Sequence, residues 1–345
     1  MHEITVAVII PVWNTPDWML KQCIESALGQ THKLHQIIVI DDGSDSEETL
    51  SYFKEIESES TVELIHISHS GISAARNAGI DRLDSEWFTF LDSDDYWDED
   101  FIESLVSSVR SDTQIVFCGN SLVDYNGQRV IRKDPPQEVL CDIKRSPYFS
   151  CGTGFRLWNT SFVKGLGKIG RYPMNCIAED ETFGEFVIAS ASNIVSVEQY
   201  GYNVRSRDDS FCRSRRRFNS STLEQMPFSA IKNNLAGVVP AGQWQNDVLY
   251  CRVIDDMMGL SWIFCCYSDK EQRKKIAREA AGLIREHIPD YESLRKTEAF
   301  RILWTGTRGT AVSFYIFCVR NHMENAAQTV CTALLRLYYK VKKIQ

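Results

Sequence analysis

The chain has 345 residues, 43% hydrophobic and 24% charged, enough apolar surface for one large α/β domain and a smaller helical region. A formal net charge of -8 argues against the basic footprint of a general nucleic-acid binder, so no nucleic-acid partner is expected. The 11 cysteines are irregularly spaced, without a C-x-x-C pair. That excludes a zinc ribbon or thioredoxin-type site and predicts small buried hydrophobes in a reducing, cytoplasmic setting. Residues 4–10 form a β-branched run ended by Pro11 and predict a strand. Leu20, Ile24, Ala27 and Leu28 give residues 17–30 helical spacing, and the apolar run 36–40 stops at Asp41 and Asp42. A helix begins at residue 45 with Leu50, Phe53 and Ile56, a strand covers 62–67, and a helix covers 71–83. The fourth strand, 87–91, ends at Asp92; Phe101, Ile102, Leu105, Val106 and Val109 line a fourth helix; residues 114–118 form a fifth strand. Between 120 and 155 the pattern is irregular. Helical spacing returns over 179–189, a strand over 194–200, and the chain is mostly helical from 219 to a basic, apolar end at 334–343.

Short apolar strands alternating with amphipathic helices predict the α/β class, with a mostly parallel sheet flanked by helices. The expected domains are residues 1–218 and a helical C-terminal region, 219–345. The N-terminus lacks the basic and apolar segments of a signal peptide. Residues 311–319 are too short an apolar stretch to span a bilayer, which needs roughly 20.

In parallel sheets ligands bind beyond the carboxyl ends of the strands. Residues 11–15, 41–44 and 92–95 fall on that rim. Asp92, Asp94 and Asp95 can hold a hard cation and a ribose, since Mg²⁺ and Mn²⁺ prefer oxygen ligands shared with phosphates; equally, they can cap the next helix. Asp41 and Asp42 can accept from a base imide or ribose, or simply close a turn. Arg76 lies in a helix of small residues, 71–79, which can hold it rigidly at the rim or leave it on the surface. The G-x-G-x-x-G match at 165–170 is followed by Tyr172-Pro173, so it opens no helix and reads as a loop. His66 and His69 lack a third metal partner and read as structural or exposed.

Taken in order, Val8-Ile9-Ile10-Pro11-Val12-Trp13-Asn14, Gly29-Gln30-Thr31, Val39-Ile40-Asp41-Asp42-Gly43-Ser44, Ala75-Arg76-Asn77 and Phe90-Leu91-Asp92-Ser93-Asp94-Asp95 resemble the motifs of the family 2 glycosyltransferases. The resemblance implies a GT-A fold, a Mn²⁺ or Mg²⁺ cofactor and inverting transfer of a hexose. It implies that Pro11, Trp13 and Asn14 lie by the nucleotide, Trp13 standing where the family often has Tyr. It gives Asp42, with Asp41, the base and Arg76 the nucleotide. Asp92 and Asp94 become the D-x-D element, Asp94 for the metal and Asp92 for ribose, a metal-bound water or the metal. The family's base, the Asp of a Glu-Asp pair at a helix start, corresponds to Asp180, with Glu179 beside it; acidic residues also suit any first helical turn.

Arg205 or Arg207, in a segment like the family's lid, would neutralise the departing diphosphate, or form a solvated loop. The basic run at 213–217 is a solvated face or a surface for an anionic acceptor. The implied partners are a UDP-sugar and a glycan or lipid-linked glycan of cell-surface polysaccharide synthesis. Residues 219–345 would serve acceptor binding, homodimer formation or peripheral contact with the inner face of the membrane. A nucleotidyltransferase would want a glycine-rich loop where Trp13-Asn14-Thr15-Pro16 stands. A non-catalytic nucleotide-sugar binder would have lost the D-x-D element or the base.

Overall fold

A computed structural model describes residues 3–57, 59–134, 153–207, 226–265, 270–288, 290–303 and 306–326. The first elements alternate as β1 (Val6–Val12), α1 (Asp17–Leu28), β2 (Gln36–Asp41), α2 (Glu47–Ile56), β3 (Val62–His66), α3 (Ile72–Arg82) and β4 (Trp87–Phe90). All seven residues of β1 are buried, as a strand covered by helices on both faces requires. There follow β5 (Tyr96–Trp97), α4 (Phe101–Val106), β6 (Ile115–Phe117), β7 (Asn120–Val123), β8 (Val130–Asp134), β9 (Arg156–Asn159), α5 (Thr160–Gly165), α6 (Glu179–Ala189), β10 (Ile194–Ser196) and β11 (Tyr202–Arg205).

The main sheet has seven strands in the order β10-β6-β9-β4-β1-β2-β3. β1 pairs in parallel with β2 and β4, β2 with β3, and β6 with β10; β9 alone runs antiparallel, between β4 and β6. The sheet is therefore mostly parallel, as expected from the alternating pattern. A core of Val8, Ile10, Leu20, Ile24, Val39, Leu91 and Phe101 fills one face. On the other, α3 lies close to β1: a Cβ at Gly79 would meet Ile9 Cγ2 at 2.3 Å.

A second sheet, β5-β11-β7-β8, corrects two expectations. Residues 120–134 carry a hairpin rather than irregular chain, and Tyr202–Arg205 is a strand rather than part of a loop. β5 also removes the reading of Asp92–Asp95 as a helix cap, since the carboxylates lead into a strand and α4 begins only at Phe101. Gly165 ends α5 and no helix starts at Gly170, so the glycine motif is a loop.

The chain divides into two compact units. Met1–Asp142, Phe149–Asn175 and Glu179–Arg213 form one; Ile143–Tyr148, Cys176–Ala178 and Ser214–Gln345 form the other. The expected boundary at 218/219, the basic run 213–217 and the basic end 334–343 lie outside the described residues. The second unit holds α7 (Phe228–Gly237), α8 (Gln243–Cys265), α9 (Lys270–His287), α10 (Tyr291–Lys296), α11 (Glu298–Leu303) and α12 (Gly306–Arg320). α9 packs on α7, α8 and α12, and its buried Ala277, Ala280 and Ala281 let neighbouring helices approach closely. Among the described residues no helix is long and apolar enough to cross a membrane. Cys23, Cys118, Cys251 and Cys318 are buried free thiols, and Cys176 is half-buried.

Candidate active site

Beyond β1 the chain turns sharply. Asn14 takes a left-handed φ of 49°, a conformation asparagine tolerates. Its Oδ1 accepts from the amides of Asp45 and Ser46, both at 2.9 Å, while Nδ2 donates to Asp45 Oδ1 at 2.7 Å. Asn14 thus ties the loop after β1 to the loop before α2, so its amide group serves the architecture of the rim. Pro11 is buried inside β1.

Asp41 and Asp42 are each 3% exposed. Asp41 accepts from the Ser44 amide at 2.8 Å and pairs with His66 Nδ1 at 2.8 Å. Asp42 accepts from the amides of Ser70 at 2.7 Å and Gly71 at 2.9 Å, at the entrance to α3, and faces His69 Nδ1 at 2.9 Å. Gly43, at φ 69°, makes this possible: a Cβ there would meet the His69 backbone nitrogen at 2.9 Å. The two histidines therefore form no metal pair; each partners one aspartate. His69 also stacks on Trp13, with centroids 4.8 Å apart at 25°. Trp13 is 55% exposed and remains open at the rim.

The small residues of α3 bury Arg76. Its Nη2 donates to Asp92 Oδ1 at 3.0 Å and its Nη1 to Glu179 Oε1 at 2.9 Å. Burial alone would lower its pKa, but Asp92, Tyr172, Glu179 and Asp180 outweigh it and hold the guanidinium above its usual range. Asn77, the next residue, brackets Tyr172: Nδ2 donates to the Tyr172 carbonyl and Oδ1 accepts its amide, both at 2.9 Å. Arg76 and Asn77 together fasten the segment that leads to α6 to the loop after β4. Glu179 and Asp180 open α6. Burial and the neighbouring Asp180 push the Glu179 carboxyl up, and Arg76 partly opposes them. Asp180 accepts the Glu181 amide through Oδ1 at 2.9 Å and is half-buried.

The loop after β4 is held from several sides. Ser93 Oγ meets Thr15 Oγ1 at 2.7 Å, and the Asp92 amide donates to the Tyr202 hydroxyl at 3.1 Å. Asp95 is buried and accepts the Arg205 amide at 2.8 Å. Burial and the adjacent Asp94 and Asp92 raise its carboxyl well above the ordinary range. Asp94 is raised too, by burial and by Asp92, with Arg207 pulling the other way; Arg207 Nη1 reaches Asp94 Oδ2 at 2.9 Å.

Of the two arginines, Arg207 touches a site carboxylate. Arg205 is 4% exposed, and its donors are taken: Nε by the Asp94 carbonyl at 2.8 Å, Nη1 by the Tyr125 carbonyl at 3.1 Å and Nη2 by Gln22 Oε1 at 2.7 Å. The expectation that Arg205 reaches a diphosphate is corrected on this ground: the packing of β11 against β5 turns it inward as a brace.

Asp92 and Asp94 fit a hard divalent cation. Both offer only oxygen, both are partly exposed, at 42% and 32%, and three carboxylates within four residues carry more negative charge than Arg76 and Arg207 offset. Among the described residues no three His, Cys, Asp or Glu side chains form a metal cage. Two carboxylates completed by substrate phosphates is the mode expected of Mg²⁺-type sites.

Tyr202, Tyr172 and His69 were not legible as site residues. Their hydroxyl, backbone and ring partners lie on other elements, and only the Tyr202 segment carried a signal, through Arg205 three positions further along the chain.

A mostly parallel sheet whose carboxyl rim carries two acidic loops and an acidic helix start is a fold of the GT-A type. Residues 7–171, just under half of the chain, match the family model described as Glycosyl transferase family 2. Glycosyltransferase GlyA of Streptococcus pneumoniae serotype 4 is 33% identical over 117 residues, 33% of this chain and 16% of GlyA. The chain spans a fifth or less of the length of this and the next two curated relatives. S. aureus TarS 1-349, solved with UDP-GlcNAc, superposes with a TM-score of 0.71 at 15% identity over 97% of this chain and 92% of that one. Mannosyltransferase PcManGT from Pyrobaculum calidifontis, solved with GDP-Man and Mn²⁺, gives 0.53 at 15% identity over 98% and 88%. These two likenesses carry the fold.

Proposed function

We propose that the protein is a metal-dependent, inverting glycosyltransferase that moves a sugar from a UDP-sugar to a hydroxyl of a glycan or lipid-linked glycan. The observation that carries this reading is the ion-pair chain Asp92–Arg76–Glu179, centred on a buried guanidinium, which joins the D-x-D loop to the acidic start of α6. Asp94 and Asp92 hold a divalent cation, whose chemistry is to act as a Lewis acid and neutralise the leaving diphosphate. Asp180 takes the proton of the acceptor hydroxyl as its oxygen attacks the anomeric carbon and the bond to the diphosphate breaks. Glu179, fixed on Arg76, orients the helix start. Arg207 supplies a positive charge beside the departing phosphates. Trp13 stacks on the base, and Asp42 accepts from it with a remaining lone pair. The choice of uridine draws on the acidic pair beside an aromatic ring, and on UDP and UDP-GlcNAc in the TarS structures.

The test is nucleotide release from UDP-, GDP- and dTDP-sugars, with Mn²⁺ and with EDTA, for wild type and Asp94→Ala. The expected result is Mn²⁺-dependent UDP release, absent in the variant and in EDTA. If wild type releases no nucleotide and binds no UDP by calorimetry, the reading is wrong.

A further inference from the structure

Trp18, 39% exposed, and Tyr125, 50% exposed, meet edge to face with ring centroids 5.6 Å apart at 66°. Trp18 stands in the first turn of α1, and Tyr125 at the tip of the β7–β8 hairpin. Nothing in the transfer chemistry uses either ring. Both nevertheless adjoin the same buried group. The Arg205 guanidinium lies 5.0 Å from the Trp18 ring and donates to the Tyr125 carbonyl at 3.1 Å. It also donates to Gln22, one turn along α1 from Trp18, at 2.7 Å. Its Nε donates to the Asp94 carbonyl at 2.8 Å. Tyr96, over whose ring the guanidinium also lies, donates to the Gly127 carbonyl at 2.8 Å and pins the hairpin tip from behind. Gly127, at φ 71°, leaves room for this: a Cβ there would meet Arg205 Nη1 at 2.8 Å.

One buried cation thus ties the Trp18 ring and the Tyr125 backbone to the D-x-D backbone. The ring–ring contact contributes to folding beyond the area it buries, and a ligand that stacks on a pair already placed avoids part of the cost of ordering it. The chemistry of the surroundings selects the ligand. The flanking Asp17, Lys21, Asn126 and Gln128 are exposed polar groups, and the exposed Val130 and Ile131 lie further along the hairpin in β8. A wide apolar partner would meet that polar border, while a pyranose matches it. The C–H groups on a sugar face are weakly positive and suit the negative face of an aromatic ring, and its hydroxyls suit the border.

We propose that Trp18 and Tyr125 form a carbohydrate-binding platform that seats a sugar ring of the acceptor glycan beside the D-x-D loop. This rests on the transferase reading above. The test uses the full chain with UDP and Mn²⁺ on a printed array of linear and branched hexose and N-acetylhexosamine oligosaccharides. Wild type is expected to bind a subset. Trp18→Ala and Tyr125→Ala each weaken that binding by about tenfold, and Tyr125→Phe, which keeps the ring, stays within about twofold. UDP binding by calorimetry, retained in all three variants, shows that they are folded. No glycan bound by a wild type that binds UDP, or glycan binding unchanged in both alanine variants, overturns the platform. A wild type that binds no UDP overturns instead the reading on which it rests.

Discussion

Asp180 keeps a carboxylate at the start of α6 by accepting its own helix's Glu181 amide, and no neighbouring arginine is hydrogen-bonded to it among the described residues. Asp180→Asn preserves that contact and removes the basicity. Transfer is expected to fall by about 10²- to 10⁴-fold with UDP binding unchanged, as read by steady-state kinetics and calorimetry. Glu179 carries a different signature. Its folded pKa is raised by burial and by Asp180, so the folded state binds more protons than the unfolded one over the window above the ordinary carboxylate value. Wild type therefore loses this contribution as pH rises from about 4. Glu179→Gln keeps an acceptor for Arg76 and has no such loss. The melting temperature of the variant relative to wild type should climb as pH rises; a flat difference would contradict the assignment. At this scale the sequence showed which residues carry charge. It did not show which are spent, because all three guanidinium nitrogens of Arg205 and the amide of Asn14 are claimed by groups on other elements.

At the scale of elements, α3 shows what small residues are for. Gly79 lets the helix settle on β1, and that approach delivers Arg76 between Asp92 and Glu179. Gly79→Ala inserts a methyl group 2.3 Å from Ile9 Cγ2 and should cost about 1–3 kcal/mol of stability by overpacking, measured by urea unfolding, with a loss of activity as Arg76 shifts. The long elements, β1, α1, β2 and α6, stand within a few residues of where the periodicity put them. The second sheet was missed. β5 has two residues, β7 four, and β8 is exposed along most of its length, so none shows an apolar run. β5 and β7 also pair with β11, far along the chain, as Tyr96 does with Asn203.

For the whole molecule, every residue of the proposed site falls in the first compact unit. Ligands that bind only the folded site stabilise that unit alone. UDP with Mn²⁺ at about 100 times Kd should add roughly 2.7 kcal/mol and raise that unit's calorimetric transition by about 5–10 °C, leaving the transition of the helical unit in place. A common shift of both transitions would contradict a site confined to the first unit.

The sequence by itself determined the alternation of strands and helices, the sheet's mostly parallel sense and the acidic loops at its carboxyl rim. Each of these depends on residues a few positions apart, where apolar spacing and turn chemistry act. The tertiary structure decided which charges meet. Arg76 bridges to a glutamate 103 residues away, and the Arg205 guanidinium turns in to a loop 111 residues away. Burial makes an unpaired charge costly, so each buried charge takes the partner that the packed sheet and helices bring to it, and sequence spacing carries no record of that choice.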